Sequence, residues 1–221
     1  MKLKSLFLVT FVLFAFFACK KKQEDPKPVE ENELVTTVEL TINELDNTGN
    51  VIANTTQIAT WEDLDGTGPN APVRTVTQNG ATFNNNRIRL VTSRNYRINL
   101  RFLDKTKNPV ENKTTEIESK GTEHQVFFVT AGPGGALVTT NAFSSFTYLA
   151  PFDTNNRPIG TNIRIVAPST ATTSPLNFRV ILRHDLNKGG ANVSTGDITN
   201  AGGSTDIDTN PGFEVDVVSP A

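Results

Sequence analysis

The chain carries two histidines, His124 and His184, and each sits at the end of an alternating apolar run. His124 opens "HQVFFV", on the same face as Val126 and Phe128. His184 closes "FRVILRH", on the face of Phe178, Val180 and Leu182. Successive strand side chains point to opposite faces, so both imidazoles belong with the apolar sides of their runs. If the two strands pair antiparallel, the start of one lies beside the end of the other. Both rings then meet at one end of the domain, with Glu123 or Asp185 at hand. Two imidazoles and a carboxylate suit Zn²⁺ or another transition metal, which gives a candidate site of His124, His184 and Asp185. The same residues also fit two separate half-buried histidines, each hydrogen-bonded to a loop carbonyl.

A second cluster lies in "WEDLDGTGPNAP", Trp61 to Pro72. Glu62, Asp63, Asp65 and Asn70 offer hard oxygens at short spacing around Gly66, as Ca²⁺ requires. The EF-hand pattern needs an acid two residues before Asp63, where Trp61 stands, and a closing Glu downstream, which is absent. The other reading is a turn between strands, with Trp61 and Glu62 on the rim of a binding loop. "DITNAGGSTDID" adds Asp197, Asp206 and Asp208 as further acids, or is a polar hairpin loop. Catalytic readings find little to stand on. There is no nucleophile elbow, and "AGPGG" at Ala131–Gly135 lacks the lysine and following helix of a P-loop. Trp61, Phe127 and Phe128 could stack on a sugar, but phenylalanine at strand positions usually fills a core. The expectation is no enzyme, no catalytic residue and no cofactor beyond a metal ion.

The N-terminus is more explicit. Lys2 and Lys4 precede an apolar run from Leu6 to Phe17, shorter than the roughly 20 residues of a spanning helix. The run ends at Ala18 and Cys19, the sole cysteine. A small residue before a lone cysteine, directly after a signal h-region, resembles a bacterial lipobox. Phe16 stands where that motif prefers Leu, and Phe17 where it prefers a small residue. The expectation is a signal peptide over 1–18 and a Cys19 bearing diacylglycerol and an amide-linked acyl chain such as palmitate. No thiol then remains for a disulfide, a nucleophile or a metal. Each buried CH₂ of the acyl chains adds roughly 0.8 kcal/mol of anchoring. "CKKKQEDPKPVEENE", residues 19–33, has too little apolar surface to fold and reads as a charged tether.

From Leu34 to Val218 the period is two. "VELTI" sets Val38, Leu40 and Ile42 on one face, and "YRINLRF" does the same with Tyr96, Ile98, Leu100 and Phe102. "NFRVILRH" and "FEVDVV" follow suit. Further strands are expected over Thr56–Trp61, Arg87–Val91, Glu123–Thr130, Phe143–Leu149 and Asn162–Val166, with turns such as "DNTGN", "TSRN" and "NKGG" between them. Only Lys113–Lys120 suits a helix, of about two turns. Seven to nine strands with one dry face each imply an all-β fold, a single antiparallel β-sandwich of Ig-like or Greek-key type. The 221 residues, with 37% hydrophobic side chains, suffice for one such core. Bases and acids number 21 and 23, a balance that excludes an electrostatic nucleic-acid binder.

"ELVTTVELTI", "TWEDLDGTGPNAP", "ENKTTEIESKGTEHQVFF", "LRHDLNK" and "DITNAGGSTDID", in this order, resemble a group of small outer-membrane lipoproteins of Bacteroidota, mostly flavobacteria and relatives. The resemblance covers roughly Glu33 to the C-terminus. Such proteins are often labelled "type 1 periplasmic binding fold superfamily", a fold of two helix-rich lobes for which this chain has neither length nor helical period. Their genes often sit beside that of a TonB-dependent receptor, and the group has no firmly assigned activity. "DTNPGFEVDV" departs from its pattern, and Pro211 predicts a bulge or an edge there. The resemblance implies a lipid-anchored outer-membrane protein, on the cell surface or the periplasmic face. Its expected role is a non-enzymatic binding or accessory module for a TonB-dependent transporter. The alternatives are a metal-binding accessory lipoprotein using the two histidines, and a structural or adhesive surface lipoprotein.

Overall fold

Tyr96, Ile98, Leu100 and Phe102 alternate with Arg97, Asn99 and Arg101, and only the first set is buried. That pattern repeats along most of the strands. The computed structural model describes residues 34–66, 68–131, 137–138 and 143–220. The expected signal (1–18) and tether (19–33) lie outside the described residues. The strands are β1 (Thr37–Leu45), β2 (Gln57–Glu62), β3 (Val73–Gln78), β4 (Ala81–Thr82), β5 (Ile88–Val91), β6 (Asn95–Asp104) and β7 (Glu111–Asn112). After the helix α1 (Thr114–Ser119) come β8 (Gln125–Ala131), β9 (Leu137–Val138), β10 (Ser145–Tyr148), β11 (Asn162–Val166), β12 (Leu176–His184), β13 (Ser204–Asp208) and β14 (Phe213–Val218).

Two sheets form. The first runs β10-β11-β6-β1-β2-β3-β4, with β7 pairing the end of β6. The second runs β5-β14-β12-β8-β9, with β13 also on β12. The inward faces pack into one core. Leu40, Ile42 and Phe102 enter it from the first sheet, and Val126, Phe178 and Val180 from the second. Each such side chain contributes roughly 1.5–3 kcal/mol on burial. The expected antiparallel sandwich is what the molecule forms, with one parallel pair, β14 on β5. The helix comes where the sequence places it. Asn112 Oδ1 accepts from the Thr114 amide, and Ile117 is fully buried beneath it.

Two features differ from the simple alternation. The second sheet is apolar on both faces. Phe127, Val129 and Ile181 point away from the sandwich core into a smaller cluster with Leu186, Val193 and Ala201. The segment after β12, with its short 3₁₀ turns at Val193–Thr195 and Ile198–Asn200, supplies that cover. The second feature is the break at Asn210-Pro211-Gly212. β13 and β14 lie along the same edge of β12, on Ile181–His184 and on Leu176–Phe178. They act as one strand interrupted by a turn, where the sequence predicts a bulge or edge. The turn is packed tightly: a Cβ on Gly212 would stand 2.5 Å from the Phe178 carbonyl oxygen.

Candidate functional site

β8 and β12 pair antiparallel, with Arg183 opposite Gln125 and Leu182 opposite Val126. The next pair outward is His184 and His124, whose ring centroids lie 6.1 Å apart at 47°. The carboxylate between them is Asp206, where the sequence reading named Asp185. Asp185 is exposed, at a positive φ of 51° just past β12. Asp206 arrives through a β-bulge. Leu182 pairs with Ile207 and Arg183 with Thr205, so Asp206 is the extra residue. A bulge re-aims a side chain against the strand's own alternation, and the Asp206 side chain is fully enclosed.

The hydrogen bonds orient both rings. A carbonyl only accepts, so His124 Nδ1–H donates to the Lys120 carbonyl at 3.1 Å. His184 Nδ1–H donates to Asp206 Oδ1. Asp206 Oδ2 faces His124 Nε2 at 3.8 Å and has no hydrogen-bond partner. Burial pushes the Asp206 carboxyl above its ordinary 3.8, while the charges of His184 and His124 pull it back and Asp185 adds to the rise. The two imidazole side chains are only 4% and 13% exposed, which leaves little room for a reactant. The cluster ties β8, β12 and β13 together at one end. Among the described residues no group of three or more His, Cys, Asp or Glu is arranged to hold a metal ion.

The acidic loop is closed on itself. Asp65 Oδ2 accepts from both the backbone amide and the side-chain amide of Asn70, at 3.2 and 2.7 Å. Asn70 therefore turns donors toward Asp65, where a calcium site needs oxygens. Burial, and then a hydrogen bond with Asp65, raise the Asp63 carboxyl. Asp63, Asp65 and Asn70 thus form a turn. Trp61 is corrected too. It is 3% exposed, on the inward face of β2, and its indole N–H donates to the Pro211 carbonyl at 3.0 Å. It staples the sheets together and does not line a rim. Glu62 is engaged by Lys105.

A group that sequence reasoning missed lies behind His124. Lys188 Nζ donates to the carbonyls of Gly121 and His124, at 2.7 and 3.0 Å, and pairs with Asp153 Oδ2 at 3.0 Å. Both side chains are 1% exposed. Asp153 Oδ1 accepts the backbone amides of Asn155 and Arg157, each at 2.8 Å. Burial acts to raise the Asp153 carboxyl, but the Arg157 amide and Lys188 outweigh it and hold the group below 3.8. Burial lowers Lys188 from 10.5 against the pull of Asp153. The signal available in the sequence was "PFDTNNRP", an Asx turn in which the aspartate follows an aromatic.

This pair anchors the loop from Phe152 to Pro158, whose ends form an antiparallel bridge. Asp153 and Arg157 bond again through the backbone at 2.8 Å. On this rigid loop the Phe152 ring is 43% exposed. It stands between two depressions. One, of about 400 Å³, is bordered by Thr147, Tyr148, Asn156 and Ser194. The other, of about 250 Å³, is bordered by Glu118, Ser119 and Thr122. No protein-family model, no curated protein and no solved structure matches the chain.

Proposed function

We propose that the protein is a lipid-anchored module of the outer membrane that binds without turning over what it binds, serving a TonB-dependent transporter. The observation that carries the binding reading is the exposed Phe152 on a loop held by a buried ion pair. An aromatic ring left in water on a rigid support offers a ready contact, because little freedom is lost when a ligand covers it. Loops positioned by a rigid scaffold are where sandwich domains carry recognition. The burial of both imidazoles supports a non-catalytic role, since neither ring opens onto the depressions beside Phe152. The anchor reading rests on Cys19 and its flanking residues. Among the described residues no helix is long and apolar enough to cross a membrane.

The test is purification of the full chain from native membranes. Mass spectrometry of the N-terminal peptide should show an acylated Cys19, and a TonB-dependent receptor should co-purify. An unmodified Cys19 sinks the anchor. Failure to capture a receptor, with nutrient uptake unchanged on deletion, sinks the partnership.

A further inference from the structure

We propose that the depression beside Phe152 is a binding site for a neutral oligosaccharide; this rests on the binding-module reading above and adds the class of ligand. A pyranose ring has an apolar face of C–H groups and a rim of hydroxyls. It needs an aromatic surface for the face and uncharged donors and acceptors for the rim. The larger depression supplies both. Phe152 presents its ring, and Thr147, Asn156, Ser194 and Thr195 surround it with hydroxyls and a carboxamide. None of the side chains lining it is charged, so nothing there balances a phosphate, a carboxylate or an ammonium.

Of the polar groups at the rim, Thr195 is engaged, its hydroxyl donating to the Asn192 carbonyl at 2.8 Å, and the others are available. Among the described residues, the side chains of Thr147, Asn156 and Ser194 make no hydrogen bond with one another or with a neighbour. Tyr148 is different: its hydroxyl donates to the Val126 carbonyl at 2.8 Å, so it offers ring surface only. Asn156 is held in place by its own backbone, at a positive φ of 58° inside the turn that Asp153 closes. The carboxamide and the aromatic ring therefore belong to one fixed loop, and their spacing is set before a ligand arrives.

The second depression extends the site. Phe152 borders both hollows, which suits a chain of sugars lying across them more than a single ring in one pit. Its one unneutralised carboxylate, Glu118, accepts from the Thr161 hydroxyl at 2.6 Å and would repel acidic sugars. Asp153 in the same hollow is already paired with Lys188. The volume of about 400 Å³ falls within the roughly 300–1,000 Å³ of small-ligand sites.

The experiment is calorimetric titration of the full chain, in detergent, with cellohexaose, maltohexaose and chitohexaose, and with an acidic oligogalacturonide for contrast. At least one neutral oligosaccharide should bind, and the acidic one should not. Phe152→Ala should weaken binding about tenfold, the scale of one aromatic stacking contact. Phe152→Trp should keep or strengthen it, and Asn156→Ala should weaken it less than Phe152→Ala. Circular dichroism and the thermal midpoint should stay at the wild-type values in each variant. The proposal is overturned if no neutral oligosaccharide binds at millimolar concentration, or if Phe152→Ala leaves the affinity at the wild-type value. A receptor captured through Phe152 with no saccharide bound would overturn the ligand class and leave the binding-module reading standing.

Discussion

Lys188 and Asp153 form a buried ion pair whose worth can be tested at each end. A buried pair broken at one end leaves an uncompensated charge, a loss of about 3–5 kcal/mol. Lys188→Met should therefore lower stability by that order in denaturant titration. Lys188→Met combined with Asp153→Asn removes both charges and keeps the oxygen that accepts from Asn155 and Arg157. The double variant should recover much of the loss, with the carbonyls of Gly121 and His124 still short of a donor. The pH dependence has a definite sign. The folded Asp153 lies below 3.8, so its contribution is present above that value and lost as the pH falls through the folded one. Asp153→Asn should flatten the acid limb of a thermal-midpoint profile below pH 3.8; a limb as steep as the wild type's would exclude this ion pair as its source. Tyr96 works the other way. Burial raises its hydroxyl to about 12, and its contribution is lost as the pH rises from 10 toward that value. The same hydroxyl accepts the Val91 amide at 2.8 Å, so Tyr96→Phe should cost about 1–3 kcal/mol at neutral pH and remove that alkaline loss.

At the scale of elements, what could be read from the sequence followed the dry faces. β11 and β14 alternate throughout and β1 and β6 through their middles, and each is found within a few residues of its expected place. β3 was not visible because only Val76 among its six residues is buried, so it has no apolar period to read. Its signal was the turn: Asn79-Gly80, both at positive φ, joins β3 to β4 as a two-residue hairpin. β13 hid behind its bulge, which shifts Asp206 out of the two-residue period and places the carboxylate between the histidines. The pairing of His124 with His184 needed only the strand ends, whereas the choice of Asp206 over Asp185 needed a register that no local pattern encodes. Phe127 and Ile181, which strict alternation sends to solvent, instead meet the cover after β12. Their continuous runs, "VFFV" and "VIL", are the mark of a sheet buried on both faces. The close fit of β8 to its neighbours gives a test. Gly160 has a φ of 94°, and a Cβ there would stand 2.8 Å from the Val126 carbonyl oxygen. Gly160→Ala should cost about 2–3 kcal/mol from the backbone conformation and the overlap together, read from the denaturation midpoint.

For the whole molecule, the proposed reading makes stability and placement separable. The sandwich core, the second cluster and the ion pair behind His124 are all built from residues 34 onward. On the proposed reading the anchor supplies a location and the described residues supply these cores. Its strength comes from the acyl chains of Cys19, at roughly 0.8 kcal/mol per buried CH₂, so loss of that one thiol removes it entirely. Cys19→Ala should release the protein from the membrane fraction and abolish incorporation of labelled palmitate. The thermal midpoint and any saccharide affinity of the released protein should equal those of the anchored form. A variant that stays with the membrane would show that the domain holds on through protein contacts, and the lipid would then not be what places it. A variant that leaves the membrane but melts lower would show that the N-terminal segment packs on the sandwich, against the reading of residues 19–33 as a solvated tether.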